Sequence, residues 1–161
     1  QIQWPDCPDV VGTVRKMRPS SIGFSHNSCS AHFRDGRTVR STLHELLAGR
    51  VSTESIEQLR VYWHKGMYYT LGNRRLCTFR LLEQFRDDVT VSVRVVSTEE
   101  AEQWGWKAKF TSGRWRGAIC LLRETGDIIG KSREQTVFDM GAEVNGVVDP
   151  ADSDPMVVNA S

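Results

Sequence analysis

The residues with the most chemistry in them are Arg74 and Arg75, which follow Gly72 and Asn73 where a strand-like run, Met67 to Leu71, gives way to a helix-like one. A helix N-terminus carries N–H groups with no partner in the helix and a partial positive charge. Two basic side chains in its first turn therefore cost roughly 0.3–1 kcal/mol each unless an anion offsets them. A phosphate would do so: glycine lets the backbone approach closely, first-turn amides point at the ligand, and guanidinium groups form bidentate hydrogen bonds to phosphate oxygens. The string Gly72, Asn73, Arg74, Arg75 thus describes a phosphate site. The same arginines also fit a structural role, paired with Glu83, Asp87 or Asp88 on nearby turns. The motif alone does not separate the two.

Other residues could do chemistry at lower specificity. Ser25, Asn27, Ser28, Arg34 and Asp35 form a polar set ahead of a helical stretch, and Asp35 is the best local carboxylate for orienting a metal or acting as a general base, although Asp35-Gly36 is also a turn signal. His26, Cys29 and His32 fall within seven residues, yet they lack a fourth ligand and an HExxH-type spacing, so no metal is assigned. A catalytic Cys29 beside His26 or His32 has no more support, since nothing in the sequence lowers the thiol pKa. Trp104, Trp106, Lys107, Lys109, Arg114, Trp115 and Arg116 interleave indoles with cations, a pattern that stacks bases and neutralises phosphates, or that simply buries tryptophan in a core.

The elements around these residues read as an α+β domain with a small mixed sheet and packed helices. Residues 1–20, with Pro5, Pro8 and Pro19, read as an irregular arm containing a short strand at Val10 to Val14. A short strand at Ser20 to Phe24 follows, then loop to Arg37. Val39, Leu43, Leu46 and Leu47 recur at helical spacing and end at Gly49, where a helix stop belongs. Ser52 to Ser55 forms a short helical turn. Leu59–Trp63 and Met67–Leu71 form a β-hairpin around His64-Lys65-Gly66. Leu76, Cys77, Phe79, Leu81, Leu82 and Phe85 make a mostly buried helix after Gly72. Val89 to Val96 alternates as a strand, Ser97 and Glu100 stand at capping-box spacing for a helix towards Trp104, and Ala118 to Leu122 is a last strand. The domain spans 21–140, and 141–161 reads as a loose tail.

With 161 residues, 39% apolar and 25% charged, and a net charge of +1, the chain is sized for one core and has no overall bias towards a polyanion. No apolar run approaches the roughly 20 residues that span a bilayer, so no membrane partner is expected. The four cysteines show no CxxC pairing and read as reduced, in an intracellular, reducing compartment, with a Cys7–Cys29 disulfide left open. Beginning at Gln1, the chain reads as a processed product or a fragment.

The stretch Met67-Tyr-Tyr-Thr-Leu-Gly-Asn-Arg-Arg-Leu-Cys-Thr-Phe-Arg80, with a helix at 39–48 and the Arg60–Trp63 strand before it, resembles the signature of the ParB/sulfiredoxin-like superfamily over roughly residues 20–96. The resemblance implies a small α+β fold that binds a nucleotide, a nucleoside triphosphate with Mg2+, with its phosphates on the turn Gly72 to Arg75. Members hydrolyse CTP while clamping DNA, use ATP to repair an over-oxidised peroxiredoxin cysteine, or phosphorylate free serine. Here Asn73 stands where sulfiredoxins carry their catalytic cysteine, which argues against repair chemistry. It also stands where partition proteins carry an acidic residue, which leaves binding better supported than hydrolysis or phosphoryl transfer. The helix-turn-helix that partition proteins add has no counterpart here. The leading expectation is a domain that binds a nucleotide or other phosphorylated ligand. The alternative is a non-catalytic protein- or RNA-interaction module on the same fold, using Trp106, Lys107, Lys109, Arg114 and Arg116.

Overall fold

A computed structural model describes residues 2–113 and 116–130. They form a mixed α+β domain with two small sheets and four α-helices. The first sheet has the order β1 (Val14–Met17), β5 (Val91–Val95), β3 (Leu59–His64), β4 (Met67–Thr70). β3 and β5 run parallel, while β1 with β5 and β3 with β4 are antiparallel. The parallel pair requires a crossover, and α2 (Asn73–Glu83) supplies it. The second sheet joins β2 (Ser28–Cys29), β6 (Cys120–Leu122) and β7 (Ile128–Ile129), with Ser28 opposite Leu121 and Cys29 opposite Leu122.

Local rules account for most of these elements. α1 (Val39–Leu47) buries Val39, Thr42, Leu43 and Leu46, the positions that share one face at 3.6 residues per turn, and packs against α2. Its start is a reciprocal capping box between Thr38 and Ser41. The β3–β4 hairpin turns at Lys65 and Gly66, both with positive φ. β5 buries Val91, Val93 and Val95 and leaves Ser92 and Arg94 half-buried, as a strand with one core face should. α3 (Thr98–Trp104) is capped by Ser97, whose Oγ accepts from Glu100 N at 3.0 Å. Half of the expected capping box forms, because the Glu100 carboxylate bonds Arg94 instead. A short α4 (Trp106–Lys109) follows Gly105.

Three expectations are revised. The strand expected at Val10–Val14 lies further on, at Val14–Met17, and pairs with β5, so part of the expected arm belongs to the main sheet. Ser20–Phe24 is not a strand: Pro19 starts a 3-10 turn over Pro19–Ser21, since proline fixes φ and removes a ladder donor. Only Gly23 then touches β4, giving its N–H to Tyr68 O and taking one from Thr70 N, both at 2.8 Å. Finally, the helix expected to bury Phe85 ends at Glu83 and leaves Phe85 62% exposed, while Asn73 through Phe79 are all buried. The expected tail lies outside the described residues.

The contact between the Gly23 segment and the loop before β6 is close. Gly117 has φ +72°, and a Cβ there would sit 2.8 Å from Gly23 Cα and from Phe24 N, both backbone atoms that cannot swing aside. Gly36 also has positive φ (+90°) but open space around it. Gly117→Ala should therefore destabilise the fold by about 3 kcal/mol in urea unfolding, against about 1 kcal/mol for Gly36→Ala. Equal losses would mean that the Gly117–Gly23 approach is not a constraint.

Candidate functional site at the glycine turn

The turn expected to cradle phosphate is where it was placed, between β4 and α2, with Gly72 as the N-cap and Asn73, Arg74 and Arg75 as the first helical turn. Gly72 has φ −129° and ψ 82°, outside the left-handed region, so the turn does not depend on glycine's access to positive φ. Its N–H is bonded to Thr70 Oγ1 at 2.8 Å. The side chains that follow all turn inward.

Asn73, 1% exposed, fastens the loop that crosses the helix start. Its Oδ1 accepts from the backbone N–H groups of Ser25 (2.9 Å) and His26 (3.3 Å), and its Nδ2 donates to Ser25 Oγ at 2.9 Å. Two backbone amides converging on one oxygen are the arrangement an anion would otherwise satisfy, and here a neutral amide from the protein satisfies it. Arg74 is buried, donates through Nη1 to His32 O at 2.6 Å and lies 5.5 Å from the Phe33 ring centre. Arg75 is 2% exposed, donates through Nη1 to Glu57 O and Gln58 O, both at 2.9 Å, and stands 3.7 Å from the Glu57 carboxylate. Among the described residues, both guanidiniums reach backbone carbonyls rather than the partners expected for a surface role, Glu83, Asp87 or Asp88. Both act as clamps on backbone carbonyls of distant segments.

The remaining candidates are dispersed. Ser25 faces the turn, but Asp35 closes an exposed turn on itself: its carboxylate accepts from Arg37 N and pairs with Arg37 Nε at 3.3 Å. That is the geometry of the Asp-Gly turn, with Gly36 in the left-handed region, rather than of a catalytic base. His26 stacks on Trp104 (5.4 Å between centres) and His32 lies 3.8 Å from Glu124, so neither meets Cys29 as a metal ligand would. Cys7 contacts Tyr68, not Cys29, and none of the four cysteines is in a disulfide.

The aromatic-basic segment also divides. Trp106 is 5% exposed and stacks on Phe110 at 4.5 Å, within a cluster that includes Tyr62, His64 and Tyr69. Burial in that cluster, with Lys65 adjacent, holds His64 below the usual imidazole range. Lys107 reaches Glu102, Lys109 lies 4.7 Å above Trp104, and Arg116 covers Trp4 at 5.0 Å while donating to Lys65 O. Arg114 and Trp115 lie outside the described residues. An indole inside the core cannot stack on a base, which removes the centre of the expected nucleic-acid face.

Open surface lies elsewhere. A groove of about 600 Å3 is lined by Arg60, Glu100, Gln103, Trp104 and Lys109 among others. Glu100 neutralises much of it: it takes two hydrogen bonds from Arg94, at 3.0 and 2.8 Å, and stands 3.7 Å from Arg60. A second groove, about 490 Å3, runs beside β1, with Arg15, Lys16 and Arg18 in its wall, Met17, Trp63, Met67 and Tyr68 behind them, and no carboxylate in its lining. Sequence reading passed over these cations because their spacing matches no motif. The signal available was three basic residues within four positions, Arg15, Lys16 and Arg18, around Met17. Against known proteins, the chain matches no family model, no curated protein and no solved structure.

Two outcomes follow from this geometry. Asn73→Ala leaves two buried amides without their acceptor and should cost about 2 kcal/mol, and Arg75→Met should cost about 3 kcal/mol through the orphaned carbonyls. Asn73→Asp keeps an acceptor for both amides and should stay within about 1 kcal/mol of wild type by urea unfolding. A carboxylate as damaging as alanine would show that the acceptor is not what matters. Separately, Arg94 hydrogen bonding, working against burial and helped by Arg60, holds the Glu100 carboxyl below the ordinary value. A lowered folded pKa means that its stabilisation is present above the unfolded carboxylate pKa and is lost as pH falls through the folded one. For so exposed a group the effect is about 0.5 kcal/mol. Glu100→Gln should flatten the acid side of the stability profile by that amount, as measured by denaturant midpoints from neutral pH downwards.

Proposed function

We propose that this chain carries a variant of the ParB/sulfiredoxin-like fold whose phosphate turn serves as a structural clamp, and that the domain works as a non-catalytic protein-interaction module. The observation behind this reading is the inward commitment of Asn73, Arg74 and Arg75: the first turn of α2 is buried, and its polar side chains hold backbone groups of other segments. The strand, Gly-Asn-Arg-Arg and helix in their expected order support the family part of the proposal. Binding a nucleotide there would require displacing the Ser25–His26 loop, and the buried guanidiniums would lose their carbonyl partners before gaining phosphate.

The partner that fits the surface is an extended acidic segment of another protein. β1 has β5 on one side and no strand on the other among the described residues, so its outer backbone edge can accept an added strand. Val14 at the start of β1 is 56% exposed, and Val10 and Val11 in the turn just before it are 80% and 58% exposed, an apolar patch at that end of the edge. Arg15, Lys16 and Arg18 line the adjoining groove and set the charge of the occupant, although Asp9 and Glu54 already pair with the first two. Buried Trp106 and the near-neutral net charge weigh against RNA.

The test uses a fluorescein-labelled peptide of alternating Glu and Val, its Lys-Val counterpart, and thermal melts with ATP, ADP, CTP and GTP plus magnesium. The Glu-Val peptide should bind by anisotropy, weaken with salt, and lose about tenfold affinity on Arg15→Glu/Arg18→Glu, while nucleotides leave the melting temperature unchanged. A ligand at 100 times its dissociation constant stabilises by about 2.7 kcal/mol, so a clear nucleotide-induced shift would overturn the non-catalytic reading and restore the phosphate site. Equal binding of both peptides would overturn the acidic partner.

A further inference from the structure

Three cysteines far apart in sequence meet inside the domain. Cys29 ends β2, Cys120 begins β6, and Cys77 lies in the first half of α2. Each is 0% exposed. Their sulfurs all lie within 4.8 Å of one another, and Cys120 Sγ donates to Cys29 Sγ at 3.5 Å. A thiolate–metal bond is about 2.3 Å, so three sulfurs around one ion in a trigonal plane stand about 4 Å apart, which small side-chain shifts reach from sulfurs that lie within 4.8 Å of one another.

We propose that Cys29, Cys77 and Cys120 form a buried three-thiolate site for a soft metal ion, with Cu(I) the ion of best fit. Thiolates select Cu(I), zinc and iron–sulfur centres over hard cations. Structural zinc takes four protein ligands and iron–sulfur clusters take four cysteines, whereas the group here comprises three ligands among the described residues. Cu(I) accepts trigonal coordination. The charge environment agrees: Arg80, one turn along α2 from Cys77, is largely buried and places a cation on the same side of the helix. It is held there by Gly130 O at 3.2 Å, by Glu83 at 3.9 Å and by the Phe24 ring.

Loading is balanced by protons: one Cu(I) replaces three S–H hydrogens, releases three protons and leaves a complex of charge −2, which Arg80 partly offsets. Because each sulfur must give up its proton to bind, affinity for the ion rises with pH. Because the sulfurs are enclosed, the ion enters as the chain folds and ties the second sheet to α2. This site is independent of the glycine turn and of the β1 groove.

The experiment refolds the full reduced chain anaerobically with Cu(I) held by a chromogenic chelator, then measures retained copper and the X-ray absorption of the product. Wild type and Cys7→Ser should each retain one equivalent, with a shell of three sulfurs at about 2.3 Å and tighter retention at higher pH. Cys29→Ala, Cys77→Ala and Cys120→Ala should each lose it, circular dichroism reporting whether they fold. The wild-type sulfur count and the Cys7→Ser control decide the matter even if a core variant fails to fold. Wild type that yields all copper to the chelator, a shell of nitrogen or oxygen, or loss in Cys7→Ser would overturn the proposal.

Discussion

A buried guanidinium must be surrounded by acceptors, and at the start of α2 those acceptors are backbone carbonyls from segments remote in sequence. Arg75 holds Glu57 O and Gln58 O just ahead of β3, and Arg74 holds His32 O in the loop before α1. Asn73 holds the amides of Ser25 and His26. Charge carried into a low-dielectric interior is tolerated only when its donors are met with good geometry. Once met, it fixes register, because a guanidinium fork accepts few arrangements of carbonyls. The hydrophobic core supplies the larger driving force, but apolar contacts alone would let these loops slide. The polar clamps say where they stop.

The same helix then organises the apolar side. Leu76, Phe79 and Leu82 of α2 lie in one core with Leu43 and Leu46 of α1, with Leu59, Val61, Val91, Val93 and Val95 of the main sheet, and with Leu122 and Ile129 of the second. Cys77, between the clamps and the apolar ridge, brings α2 against the junction of β2 and β6. A separate cluster of Tyr69, Leu71, Val96, Ala101 and Trp106 packs α3 and α4 beside the end of β4. Among the described residues no helix is long and apolar enough to cross a membrane. Among the described residues one main-sheet edge, β1, has no strand paired to it, while Gly23 covers part of the other.

Much of the fold was legible because its signals are local. Valines at every second position made β5, leucines at helical spacing ending near Gly49 made α1, and Lys65-Gly66 between aromatic runs made the hairpin. The β1 strand was misplaced because exposed Val10 and Val11 look as strand-like as Val14 to Met17. Pairing with β5 selects the latter, and pairing is not local information.

The candidate site divides along the same line. The sequence by itself determined that a strand, a glycine and two arginines open a helix, since propensity and periodicity act over a few residues. Only the tertiary structure decided which way those arginines point, because direction depends on acceptors some 17 and 42 residues away. It likewise buried Trp106, closed Asp35 into its own turn, and gathered Cys29, Cys77 and Cys120 from three elements. Residue type states what a side chain can bind. Chain topology states what stands within its reach, and three-dimensional neighbours have no fixed spacing in one dimension.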